Sequence, residues 1–109
     1  QSPLIVIQIE SIKAVNNLND ILKVKGIDAV MVGPYDLSAT MGITGDFQND
    51  EFVKTLDSIL LMCKNNKVAI GDHVVQPDPK KLSQRISEGY TFIAYGTDGV
   101  FLYNSSKLP

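Results

Sequence analysis

Four short apolar runs, each followed by a segment whose apolar residues recur at three- and four-residue steps, restrict this chain to alternating strand and helix. Leu4-Ile5-Val6-Ile7-Gln8-Ile9 opens the series. It is a nearly unbroken β-branched run, the pattern of a strand covered on both faces and hence of a parallel sheet with helices outside it. From Ser11 the period changes: Ile12, Val15, Leu18, Ile21 and Leu22 trace one helical stripe, and Gly26 stops it. A second strand over 28–33 leads through Pro34-Tyr35-Asp36 into a short helix predicted from Leu37 to Met41. Phe52, Val53, Leu56, Ile59, Leu60 and Cys63 predict a longer helix closed by Lys64-Asn65-Asn66-Lys67, with a third strand over 68–71. Asp78-Pro79 reads as a cap and first helical residue, and Leu82, Ile86 and Gly89 as the stripe and stop that follow. A fourth strand over 91–96 precedes a last short helix from Asp98 to Asn104.

Strands alternating with helices imply right-handed crossovers and a parallel α/β sheet. Two architectures satisfy that order, an open doubly wound sheet and a piece of a (β/α)8 barrel. At 109 residues the chain favours the open sheet, because a complete barrel takes about 250. A hydrophobic share of 44% with 20% charged residues describes one folded domain, 1–109, rather than disorder or a coiled coil. Ten basic against 12 acidic side chains leave a net charge of −2, so neither nucleic acid nor an anionic membrane is an expected partner. No apolar run approaches the ~20 residues that cross a bilayer, and Leu4 to Ile9 has no positive segment before it and no cleavage site after it. The single cysteine, Cys63, cannot form an internal disulfide, which fits a reducing compartment; the expected location is the cytoplasm. A chain that enters a strand almost at once from Gln1 is expected to be part of something longer.

In either architecture the chemistry gathers at the carboxyl ends of the strands. Gln8 and Glu10, two residues apart, point to one face of the first strand while Ile9 points away. The second strand ends in Gly33-Pro34-Tyr35-Asp36, the third in Gly71-Asp72-His73 and the fourth in Gly96-Thr97-Asp98. Carboxylates clustered on one rim repel unless a cation lies between them, and oxygen ligands with few histidines suit Mg2+ or Mn2+ better than Zn2+. For Glu10 with Asp36 a divalent metal is the preferred reading, against Asp36 as a cap for the helix at Leu37. For Asp72 and Asp98 capping or solvation is preferred. Gly33-Pro34 lets the backbone approach a ligand and turns the Tyr35 and Asp36 amides toward an anion at a helix start. His73, the sole histidine, stands where a general base could, but a satisfied structural histidine is the preferred reading. Cys63 lies on an apolar helix face and reads as core, the Lys80-Lys81 pair reads as a solvated helix face, and Gly42 to Gly45 lacks the features of a nucleotide loop.

Gln8-Ile9-Glu10, with Gly33-Pro34-Tyr35-Asp36-Leu37-Ser38 some 25 residues on, resembles the HpcH/HpaI aldolase and citrate lyase family of metal-dependent lyases. The likeness continues through Met41-Gly42 and from Gly89-Tyr90 to Gly96-Thr97-Asp98, so it spans nearly the whole chain. It implies the C-terminal half of a (β/α)8 barrel, four βα units with parallel strands, in place of the open sheet. It further implies Glu10 and Asp36 as the protein ligands of Mg2+, Mn2+ or Co2+, Gln8 beside the bound 2-oxo acid, and Gly33 with the Tyr35 and Asp36 amides around its carboxylate. The implied reaction is class II aldol cleavage of a 4-hydroxy-2-oxo acid to pyruvate and an aldehyde. The base and the arginine of such enzymes belong to the N-terminal half of the barrel, which this chain does not match. Hence it is expected either to pair with an N-terminal half or to form a homo-oligomer. Two other readings stay open: an incomplete half barrel that self-associates or binds a ligand, and a small flavodoxin-like regulatory domain.

Overall fold

The computed structural model describes residues 3–107. Four strands, β1 (Val6–Ile9), β2 (Ala29–Val32), β3 (Ala69–Val74) and β4 (Phe92–Tyr95), form one parallel sheet in the order β1-β2-β3-β4. Strands adjacent in sequence are adjacent in space, so the winding never reverses. A doubly wound sheet requires such a reversal and places its ligand crevice there. The flavodoxin-like and open-sheet readings fail on this order. Winding in one direction lays the crossover helices on one side of the sheet, the arrangement of a barrel arc.

The helices are α1 (Ile12–Asn16), α2 (Leu18–Ile21), α3 (Pro34–Thr40), α4 (Asp50–Asn65), α5 (Pro79–Glu88) and α6 (Asp98–Ser106). Ile9, Val30, Val32 and Ile70 on the helix-facing side pack with Leu18, Leu37, Phe52, Leu56, Ile59 and Cys63 into one buried core. The other face carries Gln8, Met31, Gly71 and Phe92 in one row across all four strands, as the register Gln8↔Met31, Met31↔Gly71 and Gly71↔Phe92 dictates. That inner face is open at β1, where Val6 is 45% exposed and Gln8 is exposed. The expectation of a first strand covered on both faces therefore fails: β1 lies at the sheet's edge, and Leu4 and Ile5 precede it, exposed.

Other departures from the sequence reading have local causes. The first helical stripe is broken in two at Asn17, whose side-chain amide also takes Lys13 O, at 2.9 Å, in competition with the backbone. Helix α3 begins at Pro34 rather than Leu37, since proline at the first helical position loses no hydrogen bond there. β3 runs on to Val74, which puts Asp72 and His73 inside the strand. On α5 the expected Asp78 cap holds, accepting from Lys80 N at 3.0 Å, and Gly89 ends the helix at φ 109°. Its buried side differs, however. Ile86 is 60% exposed, and Arg85 turns inward instead. Helix α6 is capped by Thr97, whose hydroxyl accepts from Val100 N, rather than by Asp98.

Candidate active site

Continuing the β1–β2 register one step past Ile9↔Val32 sets Glu10 opposite Gly33. The ladder persists there, with Gly33 N donating to Ile9 O at 3.0 Å. A side chain at Gly33 would begin 2.7 Å from Gln8 Nε2, 3.2 Å from Glu10 Cβ and 3.3 Å from Glu10 Oε2. Both polar side chains at the end of β1 thus lean over the bare backbone of β2. Gly33 is needed here for space rather than for conformation, since its φ of −100° suits any residue.

Asp36 comes to the same rim on α3. Gly33 is the cap of that helix, and its first internal bond runs from Leu37 N to Gly33 O at 2.9 Å, so the Tyr35 and Asp36 amides have no partner within the helix. Asp36 stands in the first turn and makes no capping bond, which removes the cap reading for it. Thr40 lies one turn further on the same helix face. Its Oγ1 accepts from Ile12 N at 3.1 Å and donates to Leu37 O at 2.8 Å. The face of α3 that bears Asp36 is therefore held against the segment that bears Glu10.

Two further contacts set the mouth of the site. Ser38 is buried, donates to Tyr35 O and accepts from Gly45 N, both at 2.9 Å, so it pins the 42–45 loop under the start of α3. The Tyr35 ring meets Phe47 edge-on at 4.9 Å, and Phe47 lies 5.2 Å from Phe52 in the core. A cavity of about 140 Å³ opens beside these rings, with Asp72, His73, Lys81 and Arg85 among its lining residues.

Glu10 and Asp36 are both exposed, and among the described residues neither takes part in an ion pair. Two unpaired carboxylates beside free amides and a glycine-floored gap fit a hard divalent cation and an oxygen-rich ligand. Among the described residues no three histidine, cysteine or acidic side chains gather. A cation here would take Glu10 and Asp36 from this chain and fill its remaining positions with ligand oxygens and water.

The remaining candidates lie elsewhere. Asp72 is neither a cap nor solvated: it points to the helix side, 2% exposed, with Oδ2 3.0 Å from Arg85 Nε and Oδ1 accepting from His73 N at 2.8 Å. Arg85 Nε is buried and misses hydrogen-bond alignment with Asp72, while Nη1 donates to Glu88 Oε2 at 2.9 Å. Burial pushes the Asp72 carboxyl up, and the Arg85 guanidinium and the His73 amide pull it part of the way back. Alternation in β3 sends His73 to the inner face, where Nε2 donates to Gly96 O at 2.9 Å; the ring is structurally engaged. Asp98 is exposed and accepts from Gly99 N. Cys63 is core, as read, and burial pushes its thiol up to about 11. Lys81 departs from the solvated-face reading, because its ammonium lies 5.3 Å from the centre of the Phe47 ring.

Ser38, Thr40 and Arg85 are the residues that reading the sequence missed. Ser38 and Arg85 are polar residues at helical positions that turn inward, Thr40 is an exposed hydroxyl bonded to another unit, and Arg85 is the chain's single arginine. What hid them is that their partners, Gly45, Ile12 and Asp72, are distant in sequence or belong to another element.

The family model described as HpcH/HpaI aldolase/citrate lyase matches residues 1–105. The 5-keto-4-deoxy-D-glucarate aldolase of Citrobacter koseri is 34% identical over 105 residues, which are 95% of this chain and 40% of that protein. The 4-hydroxy-2-oxo-heptane-1,7-dioate aldolase of Escherichia coli is 33% identical over 104 residues, 94% of this chain and 38% of the relative. Among solved structures, an HpcH/HpaI aldolase/citrate lyase family protein from Burkholderia cenocepacia superposes with a TM-score of 0.88 at 27% identity, covering 95% of this chain and 40% of that one. The chain therefore spans about 40% of the length of the curated relatives it matches.

Proposed function

The chain belongs to the HpcH/HpaI aldolase/citrate lyase family, and on that premise we propose that it supplies the metal- and substrate-binding rim of a carbon–carbon lyase cleaving a 4-hydroxy-2-oxo acid to pyruvate and an aldehyde. The observation that carries this reading is the convergence at Gly33: Gln8 and Glu10 lean over it from β1, and the helix it caps brings Asp36 to the same rim.

In this reading Glu10 and Asp36 hold Mg2+, Mn2+ or Co2+. Such an ion supplies Lewis acidity toward the charge that develops on the oxo acid as its C3–C4 bond breaks. Gln8 Nε2 donates to an oxygen of the oxo acid. The Tyr35 and Asp36 amides receive its carboxylate at the positive end of α3, and Gly33 keeps the floor clear of side chains. His73 has a structural role in this reading, its Nε2 donating to Gly96 O. The base, and an arginine to orient the oxo acid, come from the part of the relatives' length that this chain does not span. Its pairing partner is accordingly that other half of a barrel.

Pyruvate release, coupled to lactate dehydrogenase, tests the reading in the protein that contains this chain together with the rest of the barrel. Turnover should require Mg2+ or Mn2+ and vanish on chelation. Glu10→Ala and Asp36→Ala should each reduce it to the uncatalysed background. Retained turnover in either variant would show the ligands to be misassigned. The open inner face at β1, with Val6 45% exposed, favours a second reading: an incomplete site that self-associates or binds a ligand without turnover. Aldol cleavage by these 109 residues alone would exclude it.

A further inference from the structure

We propose that Thr40 is a positioning residue of the cation site: its hydroxyl ties the segment carrying Glu10 to the helix carrying Asp36 and so fixes the separation of the two carboxylates. The inference rests on the metal reading above and goes beyond it by assigning a residue that touches neither ion nor substrate.

Glu10 and Asp36 belong to different βα units, both are exposed, and no ion pair links either to the described residues. Their spacing must therefore come from the backbones that bear them. On the upstream side, the last rung of the β1–β2 ladder is Gly33 N to Ile9 O at 3.0 Å. Glu10 and Ser11 then leave the sheet, and the next tie across the two units is Ile12 N to Thr40 Oγ1 at 3.1 Å. Glu10 is held between these two ties. Because Leu37 O can only accept, the Thr40 hydroxyl proton is directed to it, at 2.8 Å, which leaves a lone pair for Ile12 N. The local cap is separate from this bond: Ser11 Oγ accepts from Ala14 N at 3.1 Å. Thr40 and Asp36 are four residues apart on one helix, so displacing Thr40 from Ile12 displaces Asp36 from Glu10.

A residue that only caps α1 would affect stability; one that sets the carboxylate spacing must also affect affinity for the ion. The probe is Mn2+ alone, with free ion counted by electron paramagnetic resonance, and a thermal melt run on every variant. Thr40→Val keeps the shape and loses the hydroxyl, and Thr40 is exposed, so the core is undisturbed. T40V should weaken Mn2+ binding on the order of tenfold, the low end of what contacts supporting metal ligands contribute. T40S, which keeps the hydroxyl, should bind as the parent does. Asn49→Ala removes a cap on α4, where Asn49 Oδ1 accepts from Glu51 N at 2.9 Å, and should lower stability without moving the Mn2+ affinity. Unchanged affinity in T40V, weak binding in T40S, or equal weakening in N49A would each overturn the proposal. Asp36→Asn separates the two levels of inference. If D36N binds Mn2+ like the parent, the metal reading falls and the positioning role with it. If D36N loses the ion while T40V keeps it, only the role of Thr40 falls.

Discussion

At the residue scale the most consequential side chain outside the rim is Asp72. It lies in the helix-facing layer with Arg85 as its charge partner, and Arg85 in turn is shared with Glu88 and stacks within 5.7 Å of the Tyr90 ring. Removing one member of a buried pair strands the other charge, so Arg85→Met should cost about 3–5 kcal/mol in urea unfolding. Replacing Asp72 with Leu in the same background should recover most of that cost, because an apolar pair of similar volume leaves nothing to solvate. The pH dependence follows from the same geometry. Burial holds the folded carboxyl above its ordinary 3.8, so the native state binds the proton more tightly than the unfolded chain. Ionised Asp72 therefore costs stability at neutral pH; the cost shrinks as pH falls through the raised value and is gone below the ordinary one. Thermal melts from pH 7 downward should show the parent gaining on Asp72→Asn, which lacks this titration. A constant difference between the two would show that Asp72 does not titrate in that range.

At the element scale, the start of α3 does three things at once. It presents free amides, carries Asp36, and anchors the 42–45 loop through Ser38. Ser38→Ala should remove the acceptor of the Gly45 N–H and cost about 0.5–1.5 kcal/mol, the ordinary net worth of one hydrogen bond, because Gly45 is exposed and its amide can turn to water. Hydrogen exchange at the Gly45 amide should quicken more than exchange in α4; equal protection in the variant would mean that the loop is held by other contacts. The elements themselves were largely legible. Period and punctuation located every strand and most helices, and Asp78-Pro79 with Gly89 bounded α5 correctly. The errors fell where a polar side chain competed with the backbone, as at Asn17, or where a distant partner overrode the apolar stripe, as Asp72 does in drawing Arg85 inward while Ile86 faces water. The second has no local signature, since Asp72 and Arg85 belong to different elements.

For the whole molecule, the strands lie in a single winding order, and β1 and β4 are the edges of the sheet among the described residues. Leu4, Ile5 and Val6 are exposed at the β1 edge, as are Phe101, Leu102 and Tyr103 on α6. Apolar surface beside an unpaired strand favours association. Sedimentation of these 109 residues by themselves should show an apparent mass that rises with concentration. A monomer at every concentration would remove the support for the self-associating reading. The sequence by itself determined the alternation of strand and helix, the parallel sheet, and the residues that could bind an ion, because periodicity and residue chemistry are local properties. Only the tertiary structure decided which acids share a rim. It set Glu10 over Gly33, put Asp36 in the first turn of the helix that Gly33 caps, and turned Asp72 away to Arg85, because the face a strand residue takes depends on register and on where the strand ends.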